Sequence, residues 1–179
     1  GYSPWRSDSN LRVKNITPRV VGNIATSNGV AVVTMGYDYT DADYTTKDGF
    51  TNITQKVEGI YAQLVYPITQ KLNLSAGVRY STVDDKNFAA GTAHDDKVNA
   101  SELGLNYQID PQWRLFARYA DGFRFANADE NGAVLPGVEF LEVQTSQSYE
   151  AGAAWAGEKA SVSYSLYHMA LNDEITFDS

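Results

Sequence analysis

Residues 112–127, QWRLFARYADGFRFAN, alternate in twos. Trp113, Leu115, Ala117 and Tyr119 fall on one side of an extended chain, and Arg114, Phe116, Arg118, Ala120 and Gly122 on the other. Successive side chains of a strand point to opposite faces, so this stretch reads as a β-strand with one apolar and one mixed polar face. Asp110-Pro111 signals a tight turn before it, and a long polar segment follows. The same three parts recur along the chain: a short turn at one end of a strand, alternation in the middle, a long connection at the other end. That asymmetry limits the folds open to the chain more than any other feature.

Eight strands are predicted on this pattern, over about 17–25, 30–40, 53–66, 71–82, 97–108, 112–127, 144–156 and 160–176. Residues 1–16 read as polar and irregular, with Trp5 as their large aromatic. Asn28-Gly29, the turn 67–70, Asp110-Pro111 and the turn at Gly157 are the short connections. Long loops are expected near 41–50, 83–96 and 126–143. The cleanest alternation is in 71–82. There Leu72, Leu74, Ala76, Val78 and Tyr80 share one face, and Asn73, Ser75, Gly77, Arg79 and Ser81 the other. No helical period competes.

Charge and composition remove several function classes. The net charge of -8 argues against a nucleic-acid partner. Its acidic excess sits in three stretches, 38–48, 84–97 and 121–142, all at the long-loop end. There is no cysteine, hence no disulfide framework and no thiolate metal site. No run of about 20 apolar residues marks a transmembrane helix. G-x-S-x-G, P-loop and H-E-x-x-H patterns are missing, so no enzymatic activity and no cofactor is called for. The opening GYSPWRSDSN lacks a signal-peptide pattern; the expectation is a removed signal or a piece of a longer protein.

Two all-β architectures bury alternating faces. In a soluble sandwich the polar face meets water and the apolar face a second sheet. In a membrane barrel the apolar face meets lipid and the polar face the lumen. The barrel is preferred on three grounds. Apolar faces end in aromatics near the turns, at Tyr66, Tyr107, Trp113 and Trp155. All long loops lie on one side. The strands exceed the roughly 9–11 residues needed to cross. Tyr37 and Tyr39 are assigned to an aromatic girdle. The inward set is rich in Gly and Ser, which suits a wide lumen better than a small side-chain-filled barrel.

Four stretches in order, LSAGVRYS (74–81), LFARYADGFRFAN (115–127), LEVQTSQSYEAGAAW (141–155) and HMALNDEITFD (168–178), resemble successive barrel strands of TonB-dependent outer-membrane receptors. The similarity is good over 57–179 and weaker before. The resemblance implies an all-β fold, an antiparallel transmembrane β-barrel of about 22 strands with a plugged lumen, of which this eight-strand meander is a part. The whole of 1–179 is then one partial barrel domain, a middle-to-late section without counterparts of the plug or the remaining strands. The implied function is import of an iron–siderophore or similar scarce metal or cofactor complex across the bacterial outer membrane. The implied partners are that small-molecule complex, outer-membrane lipid and the inner-membrane transducer TonB, acting through the plug. A self-contained eight-stranded barrel with a structural or adhesive role, and a soluble β-sandwich binding module, are the alternatives.

The candidate ligand-binding residues are Arg79, Arg118, Arg124 and Phe125. Parity turns Arg79 and Arg118 to the lumen, where they either attract an anionic complex or plug carboxylates, or ion-pair with Glu102 or Glu150; the ion pair is preferred. Arg124 and Phe125 stand at the outer mouth, where an arginine beside an aromatic makes a ligand anchor or packs the loop. The pairs Asp41/Asp43, Asp84/Asp85 and Asp95/Asp96 lack EF-hand spacing and read as solvated loop rather than Ca²⁺ sites. His94 and His168 have no visible partner for metal ligation. The sequons at Asn15, Asn52, Asn73 and Asn99 are read as chance.

Overall fold

The computed structural model describes residues 8–47, 49–134 and 138–176. Trp5 and the last residues of the fourth motif lie outside them. Nine strands are described: β1 (Ser9–Ile16), β2 (Arg19–Thr26), β3 (Gly29–Thr46), β4 (Asn52–Pro67), β5 (Leu72–Asn87), β6 (Thr92–Gln108), β7 (Trp113–Arg124), β8 (Gln144–Ala156) and β9 (Ser161–Asn172). One helical turn, α1 (Ala128–Asn131), interrupts the connection from β7 to β8.

All the strands form one antiparallel sheet in which sequence neighbours pair, in the order β1-β3-β4-β5-β6-β7-β8-β9 with β2 also on β3. β1 and β2 are one strand in two pieces. Ser9 pairs with Thr46 and Arg19 with Gly36, which is the same register, broken at Thr17-Pro18. Proline has no N–H, so the ladder loses a donor there while the Pro18 carbonyl still accepts from the Tyr37 amide at 3.1 Å. The expected meander of hairpins is present. Among the described residues β9 pairs only with β8, and β1 and β2 only with β3, so the sheet they form is open. It forms neither a closed eight-stranded ring nor the second sheet of a sandwich.

The expectations fail at the outer ends. Residues 9–16 are a strand rather than irregular chain, and 41–46, 83–87 and 92–96 continue strands rather than form loops. Two of the three long connections are therefore short turns on tall hairpins. The third, after β7, is long and contains α1.

The reason is a reversal of polarity along the strands. We call the face of Leu74 and Val78 the outer face and that of Arg79 and Glu102 the inner face. Near the short turns the outer face is apolar: Ile60, Leu72, Leu74, Val78, Leu103, Leu105, Leu115, Val162 and Leu166 all lie on it by register. Farther out it carries Lys14, Asp41, Lys56, Glu58, Asp84, Asp95 and Lys97, while the inner face becomes apolar through Ala42, Ile53, Val57 and Val83. Apart from Ala31 near the Asn28–Gly29 turn, the small buried core sits there: Ala42, Ile53 and Val83 are closed off from solvent together with Ala126 and Ala128 of the β7–β8 connection. Between the two regimes the outer face passes through Tyr37, Tyr80, Tyr119 and Tyr149; the rings of Tyr119 and Tyr149 lie 5.0 Å apart.

Candidate functional site

The inner face holds its long side chains flat. Glycines on neighbouring strands make the room. A methyl on Gly36 would fall 2.4 Å from the Tyr61 ring, one on Gly59 2.7 Å from the Arg79 guanidinium, and one on Gly77 2.8 Å from the Glu102 side chain. Each of these groups thus lies in a groove where the next strand has no Cβ. Arg79 reaches across Gly59 to Asp38 on β3, with Nη1 donating to Oδ2 at 2.7 Å and Nε to the Ser81 hydroxyl at 3.0 Å. Its guanidinium also sits 5.7 Å from the Tyr61 ring centre. Arg118 donates from Nη2 to Glu102 Oε2 at 2.7 Å, and Gln63 donates to the other oxygen at 2.9 Å. Of the two partners expected for Arg118, Glu102 is the one it reaches; Glu150 stands directly across on β8. Arg79 pairs with neither. Arg118 is the more open of the two cations, more than half exposed.

Arg124 ends β7 and grips α1. Its Nη1 and Nη2 donate to the two oxygens of Glu130 at 2.6 and 2.9 Å, a planar two-point contact. Glu130 also accepts from the Asn127 amide at 2.8 Å, which caps the start of the turn. The guanidinium holds the Glu130 carboxyl below the usual carboxylate range. Phe125 follows and meets Phe123 edge-on, ring centres 5.4 Å apart. The connection then folds back over the inner face, α1 packing against β3 and β4. Gln55 Nε2 donates to Asp85 Oδ1 at 2.9 Å and to the Ala126 carbonyl at 2.6 Å. Asn131 Nδ2 donates to Asp85 Oδ2 at 3.4 Å, and its own oxygen accepts from the Leu141 amide at 3.0 Å. His94 stacks on Phe140 at 5.6 Å.

The sequence-derived set therefore falls at two levels. Arg79 and Arg118 lie on the inner wall, and Arg124 and Phe125 at the mouth. The aspartate pairs are dispersed. Asp84 and Asp85 point to opposite faces, as do Asp95 and Asp96, and Asp41 lies 3.8 Å from Lys14. Among the described residues no three His, Asp or Glu converge as metal ligands. His168 lies on the outer face beside Tyr149. Sequence reasoning missed Asp38, Gln63, Gln55, Asn131 and the hub role of Asp85. Only Glu130 had a local signal, the spacing of Asn127 and Glu130 typical of a capped helix start.

The family model described as TonB dependent receptor-like, beta-barrel matches residues 3–179. No curated protein matches the chain in sequence. Solved structures share its fold. The alcaligin outer membrane receptor FauA from Bordetella pertussis aligns over 92% of the chain at 19% identity, with a TM-score of 0.69. The ferric-catecholate import receptor Fiu from K12 E. coli aligns over 95% at 14% identity and a TM-score of 0.75. The FrpB iron transporter from Neisseria meningitidis aligns over 94% at 11% identity and a TM-score of 0.78. The chain spans 30%, 33% and 29% of these proteins respectively.

Proposed function

Because this chain belongs to the TonB-dependent receptor β-barrel family, we propose that it forms one sector of the wall of a bacterial outer-membrane receptor. The receptor takes up an iron–siderophore or similar scarce metal complex and is energised by TonB through a plug. The observation that carries this reading is the apolar band of the outer face, bounded by aromatics on both sides. On β5 it runs from Leu72 to Tyr80. Eight steps of ~3.4 Å at a tilt of ~40° give a height of ~21 Å, close to the ~25 Å apolar belt of outer-membrane barrels. Trp113 and Trp155 pair at the short-turn edge, and Tyr37, Tyr80, Tyr119 and Tyr149 stand at the other. Beyond that edge the outer face turns charged, as it must where water replaces lipid.

The inner wall then lines the lumen. Paired charges lying over glycines leave the passage open while keeping hydrogen-bonding groups along it. We assign Arg79, Arg118, Arg124 and Phe125 to contacts with the transported complex. Arg118, the most open of the three cations, and Phe125 at the mouth are the most direct tests. In the full-length receptor, Arg118→Ala and Phe125→Ala should each weaken binding of the cognate metal complex by roughly tenfold, the usual worth of an anchoring side chain. Receptor level in the membrane should stay constant, and the outer-face control Asp84→Ala should leave affinity unchanged. A panel of ferric siderophores titrated in detergent finds the cognate complex. Equal affinity in both variants and the parent would return these residues to purely structural roles.

A further inference from the structure

The inner face at the mouth contains an arrangement that strand pairing does not require. Asp85 is 3% exposed, Gln55 5% and Asn131 2%. Two buried amides, Gln55 of β4 and Asn131 of α1, converge on the buried Asp85 carboxylate of β5, and through it they tie the β7–β8 connection to the hairpins of β3–β6. Remove the connection, and Asp85 faces the open inner surface. We propose that Asp85 is the positioning residue of a lid formed by residues 125–134, and that its protonation tightens the lid against the inner wall. The proposal rests on the barrel reading only in calling this end the mouth.

The direction follows from where the carboxyl sits. Burial pushes its pKa up to about 6, against the lowering effect of the Gln55 hydrogen bond and of His94. With the lid lifted, water returns and the group reverts toward the ordinary value of 3.8. The closed lid thus binds the proton more tightly, and linkage makes acid favour closure. The hold is strongest in acid and weakens as pH rises through about 6. Other groups around the hub bear on the sign. His94 stands across from Asp85 on β6, with Asp96 next on that face. Asp84 precedes it but turns to the outer face. Tyr44 lies on the inner face of β3. The lid itself brings Asp129 and the Arg124–Glu130 pair. Positive charge on His94 opposes the effect by favouring the carboxylate. Glu130, held low by Arg124, loosens the lid only at still lower pH.

Residues 1–179 contain no cysteine, and any cysteine elsewhere in the receptor is replaced by serine before labelling. Spin labels at Asp129→Cys and Lys86→Cys, in the full-length receptor in detergent, report the distance between lid and wall without any ligand. Between about pH 8 and about pH 5, the closed-to-open ratio should rise about tenfold, the factor that carboxyl pKa values near 6 and 3.8 produce over that window. Asp85→Asn, which keeps the shape and stays neutral, should hold the acid-like distance at both pH values. His94→Gln should keep the pH response. A distance insensitive to pH, a response that survives in Asp85→Asn, or one abolished by His94→Gln would overturn the proposal. None of these outcomes depends on the identity of a transported complex, so the test stands apart from the ligand titration.

Discussion

Three consecutive residues of β5 report which medium each face of the sheet meets. Leu74 and Ala76 lie on the outer face and Ser75 on the inner face. Ala76 is the midpoint of the Leu72–Tyr80 band, four residues from either edge, and Leu74 is halfway from the centre to the short-turn edge. An arginine on the lipid face costs ~2–4 kcal/mol at mid-membrane and ~0–1 near the interfaces. Ala76→Arg should therefore destabilise the inserted barrel by about 2–4 kcal/mol and Leu74→Arg by roughly 1–2. Ser75→Arg points into the lumen across the bare backbone of Gly104, off the lipid face, and should change stability by less than about 0.5 kcal/mol. Folding of the full-length receptor into lipid vesicles, followed by the gel-mobility shift of folded barrels across a urea series, gives the three values. The signature is the order 76 over 74 over 75. Equal losses at all three positions, or the largest loss at Ser75, would refute the assignment of the faces.

Two further consequences concern the strand edge and the lid. Pro18→Val restores an N–H opposite Tyr37 and should join β1 to β2, adding about 0.5–1.5 kcal/mol for the regained bond. Slower amide exchange at residues 16–19 would show it, and unchanged exchange would mean that the break has another cause. Arg124→Ala leaves the largely buried Glu130 without its guanidinium; the half-open position of Arg124 holds the cost to about 1–2 kcal/mol. Exchange should quicken across residues 126–132 and not in β7 or β8, whereas unaltered exchange would show that the clamp contributes nothing to holding α1.

The strands were legible wherever one face meets an apolar medium and the other a polar one. Leu72 to Ser81 and Trp113 to Gly122 carry that contrast, and their register follows it. The reading failed at SNLRVKNI, DYTT and VDDKN because the contrast inverts there. Arg12 and Lys14 sit on the outer face and Leu11 and Val13 on the inner, a pattern that a search for one continuous apolar face rejects. The Arg118–Glu102 pair was legible because β6 and β7 are hairpin neighbours. The Arg79–Asp38 pair was not, since it skips a strand and depends on the bare backbone of Gly59 between them. The buried hub at Asp85 was hidden further still. In sequence Asp85 is one of a run of acidic residues, and only a connection returning from some 40 residues later makes it interior.

If the sheet is a barrel wall, the outer face of β5 meets lipid between Leu72 and Tyr80 and the inner face does not. Spin labels placed one at a time at each position from 72 to 82 of the full-length receptor in vesicles test it directly. Collision with oxygen, which concentrates in hydrocarbon, should peak at 72, 74, 76, 78 and 80 and fall at the positions between. Collision with a water-soluble nickel chelate should show the opposite alternation and rise on the outer face at Thr82. A scan in which the nickel chelate reaches 74, 76 and 78 as readily as 73, 75 and 77 would mean that both faces of β5 meet water and that the sheet is not a membrane wall.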